Sequence, residues 1–243
     1  MKKLGVIGGL GPMATAYFYQ LVTQMTNARY DQDHIEILLH SKPSIPDRTK
    51  YILGESKENP VQDIIGVGKT LEEMGAQVLA IPCITAHYFH EEITKEIQIP
   101  VIHLITETVA YLKERNISKV GIMATDGTVQ SRLFQEAFEE NQMQCIVPQG
   151  EFQEKVMHII YNNVKAGITP EMECFNAVSK HLFENGAQVI ILACTELSIV
   201  KRDFTLPAGY LDVLDVLAYK SVSMCGSIRE EYLELITKEE RNV

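Results

Sequence analysis

The chain has 243 residues, of which 46% are hydrophobic and 22% charged, and its formal net charge is −10. This composition is ordinary for a soluble globular protein with a proper core. The negative charge, without any Lys/Arg cluster, argues against nucleic-acid binding. No run approaches the roughly 18 apolar residues of a membrane span, and the MKKLGVIGG start is unlike a signal peptide. We therefore expect a cytoplasmic protein with neither nucleic acid nor membrane as a partner.

The five cysteines, Cys83, Cys145, Cys174, Cys194 and Cys225, are an odd number without CxxC spacing. Such a set suggests neither a disulfide framework nor a zinc site. Reduced thiols are the default in the cytoplasm, so we expect free cysteines and no bound metal.

Predicted strands and helices alternate along the chain, which is typical of right-handed βαβ units with helices on both faces of a parallel sheet. The strands are predicted at 3–8, 34–41, 77–82, 99–104, from 119, at 143–147, 187–193 and 209–212. The helices are predicted at 12–29, 60–74, 85–95, from 104 to 115, at 151–166 and 170–185, and after the last strand. A loop with three prolines, which includes the charged PDRT at 46–49, follows the second strand.

Two internal repeats relate the halves of the chain. The stretch GAQV at 75 recurs at 186, so that Cys83 and Cys194 hold one place in two copies at an offset of 111. A second repeat, at an offset of 116, starts at residues 3 and 119. It pairs Gly5 with Gly121, Gly11 with Gly127, Thr15 with Ser131 and Phe18 with Phe134.

These repeats predict an α/β fold of two pseudo-symmetric lobes, each a parallel four-stranded sheet flanked by helices. The first lobe is expected to comprise residues 1–98 plus 209–243 and the second 99–208. Ligands of open parallel sheets bind outside the carboxyl ends of the strands, and the space between lobes is a preferred place for small molecules. We therefore expect the active site in an interlobe cleft.

The turn GGLGPMA at 8–14 contains G-x-G-x-x-A between a strand and a helix, the context of a dinucleotide fingerprint. That fingerprint needs an acidic residue at the end of the second strand, which here ends in His40, Ser41 and Lys42. The pattern favours a tight turn whose backbone N–H groups hold an anion such as a carboxylate. The turn at 124–128 is expected to do the same in the second lobe.

Cys83 and Cys194 each follow an apolar run and precede a predicted helix start, with the polar neighbours Thr85, Thr195 and Glu196. Alone, a free cysteine is most often a small buried hydrophobe. The duplicated position at two strand ends favours function, because donors or a helix N-terminus can lower a thiol pKa.

Four further side chains are candidates beside these thiols. Arg48 offers the bidentate geometry that grips a carboxylate. Asp47 and Glu196 lie in the predicted cleft loops, although such carboxylates are more often surface groups. His87 is either a proton-relay partner or a helix cap.

With PCITAH at 82–87, ACTEL at 193–197, GGLGPMAT at 8–15 and PDRT at 46–49, the chain resembles the aspartate/glutamate racemase family over essentially its whole length. The resemblance implies two α/β lobes, no pyridoxal phosphate or metal, a homodimer, and two catalytic cysteines, Cys83 and Cys194. It places substrate-binding groups at matching positions. These residues are Gly11, Met13, Arg48, Ile84, Thr85, Thr125, Gly127, Thr128, Lys165, Thr195 and Glu196, and the tail signature at 210–218 carries Asp212.

One position departs from the family pattern, which reads PCNTAH where this chain has Ile84. An apolar side chain cannot replace the hydrogen bonds of an amide, and it penalises burial of a charged substrate group. The departure puts in doubt which amino acid is bound, more than the chemistry.

Two thiols suit inversion of a chiral carbon, because a thiolate can take the α-proton from one face while a thiol delivers one to the other. A cofactor-independent amino-acid racemase is therefore the leading hypothesis. Two alternatives stay open: an amino-acid-binding protein that turns nothing over, and a related isomerase or decarboxylase of dicarboxylic acids.

Overall fold

A computed structural model of the chain describes residues 1–238 and contains two parallel sheets. The strands are β1 (Leu4–Gly8), β2 (Ile37–Ser41), β3 (Val78–Ala80), β4 (Lys119–Ala124), β5 (Gln144–Ile146), β6 (Val189–Ala193) and β7 (Tyr210–Asp212). The first sheet has the order β2-β1-β3 and the second the order β5-β4-β6-β7. Every strand pair is parallel, which confirms the predicted α/β class.

Helices connect these strands, as parallel pairing requires. They are α1 (Pro12–Met25), α2 (Arg48–Ile52), α3 (Val61–Glu73), α4 (His90–Glu96), α5 (Leu104–Glu114), α6 (Asp126–Gln130), α7 (Leu133–Glu140), α8 (Glu151–Met157), α9 (Met172–Glu184), α10 (Thr195–Asp203) and α11 (Val213–Cys225). Short 3₁₀ segments lie at Asp31–Asp33, Ile84–Phe89 and Glu230–Tyr232, and a π-helix at His158–Val164. Within residues 1–238, none of the helices has the length and apolar character to cross a bilayer.

The chain divides into two compact units. The first comprises Met1–Glu107 and Leu214–Glu234, and the second comprises Thr108–Val213 and the segment that begins at Leu235. The divisions therefore fall at residues 107 and 213 rather than at 98 and 208. Residues 239–243, which the predicted first lobe included, lie outside the described residues.

Hydrogen bonds explain both displacements. Residues 100–102 exchange backbone hydrogen bonds with Leu79 of β3, which keeps this segment with the first sheet. The strand expected in the first lobe, β7, instead pairs with β6 of the second unit. The assignment of residues 209–212 to the first lobe was thus wrong.

The expectation of four strands in each sheet holds for the second sheet only. The segment 99–104 contributes a single bridge, between Leu79 and Val101, where the second sheet has β7. Pro100 has no N–H group to extend the ladder. The first sheet therefore has three strands and one bridge.

The internal repeat appears in the packing of two glycines at the centre of the sheets. A Cβ at Gly5 would collide with Leu79 and Ala76 and press on Leu71. A Cβ at Gly121 would approach Ile190, Ala187 and Leu182, each at 3.2 Å. These neighbours are the same three positions displaced by 111 residues (190 − 79, 187 − 76 and 182 − 71). Both units thus pack a strand, a helix and its exit turn around one glycine.

Candidate active site

Cys83 and Cys194 have the same backbone placement in their respective units. Cys83 follows β3 and is the N-cap of the 3₁₀ segment, with φ −156° and ψ 110°. Cys194 follows β6 directly and is the N-cap of α10, with φ −151° and ψ 135°. Each cysteine is 6% exposed and belongs to the hydrophobic core of its own unit. The prediction that both cysteines precede a helix start is confirmed.

The surroundings of the two thiols differ. Cys194 Sγ donates a hydrogen bond to Glu196 Oε2 over 2.9 Å, and Thr195 Oγ1 donates to the same oxygen over 3.2 Å. Lys165 Nζ lies 3.9 Å from the other oxygen, Glu196 Oε1, and 4.1 Å from the centre of the Tyr161 ring. The second unit therefore joins four of the predicted site residues in one connected group.

Burial and the adjacent carboxylate hold the pKa of Cys194 well above its usual value. Desolvation is the largest cause, and the negative charge of Glu196 and its hydrogen bond act in the same direction, whereas the charge of Lys165 lowers the pKa. Cys194 is thus a protonated thiol at neutral pH. The side chain of Cys83 has no acidic hydrogen-bond partner among residues 1–238.

The glycine turn after β1 is built by close backbone approach. Gly9 has φ +91°, and a Cβ there would lie 2.5 Å from the backbone nitrogen of Lys42, at the end of β2. Only glycine fits both constraints. Thr15 Oγ1 accepts from Gly9 N and donates to the Gly11 carbonyl oxygen, both over 2.9 Å. Gly11, the N-cap of α1, has no side chain that could cap the helix. It therefore leaves the backbone N–H groups of Met13 and Ala14 in the first turn uncapped.

Arg48 ties the PDRT loop to this turn. Its Nη2 donates to the carbonyl oxygen of Leu10 over 3.1 Å, and its Nη1 donates to those of Pro46 and Ile45 over 2.9 and 3.2 Å. No carboxylate within residues 1–238 forms an ion pair with Arg48. Its charge is therefore held in place by neutral acceptors, beside the carboxyl end of the first sheet. Asp47 has a structural role that was not predicted, because its side chain accepts from Lys50 N and caps α2.

The other predicted binding residues of the first unit lie on the helices that follow β1 and β3. Met13 is 66% exposed on the first turn of α1, Thr85 is buried, and Ile84 is only 3% exposed. A contact between the rings of Tyr51 and Phe89, with centroids 5.8 Å apart, joins α2 to the 3₁₀ segment that begins after Cys83. The loop of Arg48 and the cysteine segment are thereby packed together.

The turn after β4 places Thr125 next to Cys194, because Ala124 and Ala193, the residues before them, are in register. Thr125 Oγ1 accepts from Thr128 N over 3.3 Å, and Asp126 N donates to Met157 Sδ. Two of the N–H groups that we expected to hold an anion are thus satisfied internally. Gly127 is buried within this turn.

His87 is a buried neutral imidazole. It is 2% exposed, and its Nε2 donates to the carbonyl oxygen of Ile81 over 3.2 Å. Burial first, and the neighbouring His103 and His90 next, lower its pKa to about 3. The rings of His87 and His103 lie 5.8 Å apart and those of His90 and His103 4.2 Å apart. At neutral pH the imidazole of His87 is therefore neutral and does not act as an imidazolium in a proton relay.

No group of three or more His, Cys, Asp or Glu side chains in the described residues could hold a metal ion.

Two features of the site were not predicted from the sequence. The first is the π-helix before Lys165, in which Lys165 N donates to the carbonyl oxygen of Ile160, five residues earlier. The second is the Tyr161 ring beneath the lysine. A π segment often occurs at functional sites. Only the spacing of Tyr161 and Lys165, four residues apart, could have suggested their contact.

The model of the Asp/Glu/Hydantoin racemase family matches residues 7–218, which include both cysteine motifs and both strand-to-helix turns. The chain belongs to this family. The resemblance inferred from the motifs is thereby confirmed. The fold also matches that of a solved racemase over nearly the whole chain.

The structure of the Picrophilus torridus aspartate racemase superposes with a TM-score of 0.82, at 27% identity, over 96% of this chain and 98% of that one. The broad specificity amino-acid racemase RacX of Bacillus subtilis is 25% identical over 229 residues, which cover 90% of this chain and 96% of RacX. The glutamate racemase of Aquifex pyrophilus is 26% identical over 182 residues, 72% of this chain and 68% of that enzyme.

Proposed function

We propose that the protein is an amino-acid racemase that inverts the α-carbon of its substrate by proton transfer between Cys83 and Cys194, without a cofactor. Family membership and the racemases among its relatives support the reaction class. The observation that carries the mechanism is the matched placement of the two thiols, each at the carboxyl end of a strand and at the start of a helix.

In the proposed reaction, one cysteine enters as a thiolate and removes the α-proton, and the other enters as a thiol and delivers a proton to the opposite face. The electron pair of the broken C–H bond stays on the α-carbon until the new bond forms. For the reverse reaction the roles exchange. The protonated state of Cys194 in the free protein supplies the thiol that one direction needs.

The substrate carboxylate must also be held, because negative charge that develops at the α-carbon spreads into it. Arg48 supports this role, since its guanidinium has no carboxylate partner in the described part of the chain and is fixed by three backbone carbonyls. The uncapped first turn of α1 provides backbone N–H donors beside it.

The substrate is a small amino acid, and its side chain is left to experiment among the classes that the relatives represent. Those proteins are an aspartate racemase, a glutamate racemase and a racemase of broad specificity. Ile84, which offers no hydrogen bond next to Cys83, favours a substrate whose side chain is not acidic. A homodimer, a cytoplasmic location and the position of the site between the lobes stay predictions.

The test is a screen of L-amino acids in deuterated water, with loss of the α-proton resonance as the readout. Cys83→Ala and Cys194→Ala should each abolish racemisation of the substrate that the native protein uses, whereas Cys174→Ala, outside both motifs, should not. Each motif variant should keep its circular dichroism spectrum and is expected to exchange the α-proton of one enantiomer only. Full racemisation by either motif variant would refute the two-cysteine mechanism. Tight amino-acid binding by the native protein without any α-proton exchange would favour a binding protein instead.

A further inference from the structure

The two thiols of the proposed reaction are chemically unequal, and the difference lies in the second unit. Cys194 Sγ donates to Glu196 Oε2 over 2.9 Å, and that oxygen also accepts from Thr195 Oγ1, which fixes the carboxylate. No acidic side chain of residues 1–238 accepts a hydrogen bond from Cys83, whose following residues are Ile84 and Thr85. The acidic residue two positions after the cysteine is therefore present in one copy of the repeat and absent from the other.

We propose that Glu196 is the positioning residue that keeps the proton on Cys194 in the resting enzyme. The resting form then has Cys194 as the acid and Cys83 as the base and turns over one enantiomer, and the other enantiomer reacts with the less populated form that carries the proton on Cys83. This inference rests on the proposed function for its roles of acid and base. The hydrogen bond and the charge of Glu196 beside Cys194 are features of the structure and do not depend on the proposed function.

The physical reason is charge repulsion at short range. A thiolate at Cys194 would face the Glu196 carboxylate at hydrogen-bond distance in a site that is almost closed to water, whereas a thiol there donates to it. Lys165, 3.9 Å from Glu196 Oε1, offsets part of this repulsion. Burial, Glu196 and Lys165 act on the pKa of Cys194 in the directions that this arrangement requires.

The proton count over one cycle is balanced. The Cys83 thiolate accepts the α-proton, the C–H electron pair remains on the α-carbon, and the Cys194 thiol gives its proton to that carbon. The enzyme is left with a Cys83 thiol and a Cys194 thiolate. Glu196 disfavours this second form, so the free enzyme returns to its resting form by loss of a proton from Cys83 and uptake of one by Cys194.

Steady-state rates alone cannot reveal this asymmetry. The two enantiomers of an amino acid have equal free energies, so kcat/KM must be equal in both directions for the native protein and for every variant. The test therefore measures the reactivity of each thiol directly. Each cysteine is alkylated with iodoacetamide at a series of neutral to alkaline pH values, and its rate is measured by mass spectrometry of the separate peptides.

Glu196→Gln keeps the size of the side chain and a hydrogen-bond acceptor but removes the charge. At a fixed mildly alkaline pH it should speed alkylation of Cys194 by about tenfold or more, the usual effect of one close charge on a thiolate fraction. Lys165→Met should slow alkylation of Cys194. Neither change should move the profile of Cys83, which serves as the reference within the same molecule.

Glu171 provides a matched control, because its Oε2 accepts from Cys174 Sγ over 3.8 Å at an exposed place outside the site. Glu171→Gln should leave the Cys194 profile unchanged. An unchanged Cys194 profile in Glu196→Gln, or an equal shift at Cys83, would overturn the inference. The proposed function fails by a different result: the thiol profiles shift as stated, yet the native protein racemises no amino acid.

Discussion

Arg48 Nη2 donates a hydrogen bond to the carbonyl oxygen of Leu10 over 3.1 Å and thereby joins the loop after β2 to the turn after β1. Nη1 of the same side chain donates to the carbonyl oxygens of Pro46 and Ile45, so one planar guanidinium fixes two segments of backbone. The guanidinium is thus an element of structure as well as a candidate for binding a carboxylate.

Arg48→Lys should weaken both roles, because an ammonium group cannot span the acceptors of a planar fork. We expect the free energy of unfolding to fall by about 1.5–3 kcal/mol, the range for hydrogen bonds to charged groups. Urea unfolding followed by circular dichroism measures this loss. Lys50→Arg, two residues along in α2 and exposed, is the control and should leave stability unchanged. If Arg48→Lys raised KM alone, with native stability, the side chain would serve binding only.

Gly5→Ala should destabilise the protein more than Gly121→Ala does. The added methyl group at Gly5 collides with Leu79 and lies 2.9 Å from Ala76, whereas at Gly121 the nearest three atoms lie at 3.2 Å. Overpacking of this kind typically costs about 1–3 kcal/mol. The measurement is the difference in urea midpoint between the two variants. Equal midpoints would show that the two units do not differ in packing tightness at their equivalent glycines.

Thr15→Val should destabilise the turn after β1, because it leaves Gly9 N without its buried acceptor at 2.9 Å. An unpaired buried donor costs about 1–3 kcal/mol. Thr23 makes the same kind of bond to a carbonyl four residues earlier but lies at an exposed place on α1, so Thr23→Val is the matched control. Its expected cost is below about 0.5 kcal/mol. Similar thermal midpoints for the two variants would contradict the importance assigned to Thr15.

Acid should destabilise the protein through the histidines of the first unit. Burial lowers the pKa of His87 to about 3 and that of His103 to about 4, so both bind protons more readily in the unfolded chain, where the value is 6.5. Stability that is present above about pH 6.5 is therefore lost as the pH falls toward the folded-state values. For His87 the loss between pH 7 and pH 5 is about 2 kcal/mol.

Urea unfolding at several pH values between these limits measures the slope. His103→Gln should reduce it, because one of the shifted groups is gone and His87 loses a neighbour that lowers its pKa. His34→Gln is the control, as a histidine away from this group. An unchanged slope in His103→Gln would show that other groups govern the acid sensitivity.

Much of the architecture followed from the residues alone. Short apolar runs located all seven strands, because buried parallel strands carry continuous apolar stretches, and an eighth predicted run at 99–104 forms only a bridge. The offsets of 111 and 116 residues identified the two halves and the equivalence of Cys83 with Cys194. The packing of Gly5 and Gly121 on equivalent neighbours confirms that this repeat is structural.

The remaining features depend on tertiary choices that a local pattern does not encode. From its sequence alone, the apolar run of β7 could pair with either sheet. In the structure it pairs with Ile190 and Leu192 of β6, in the second sheet. Arg48 was expected to grip a substrate carboxylate, and no local pattern indicated that its Nη1 and Nη2 also donate to carbonyl oxygens of two neighbouring loops. The contact of Lys165 with Glu196 joins residues 31 positions apart (196 − 165), and their charges gave no reason to prefer this pairing over another.

The π-helix at His158–Val164 makes that contact depend on how the chain is wound. A π turn holds one residue more than an α turn, so the same residues wound as a regular α-helix would rotate Lys165 by about 100° about the helix axis. The side chain would then point away from Glu196 without any change in its identity. The charge beside Cys194, and with it the reactivity of this thiol, is therefore set by helix winding as well as by the residues themselves.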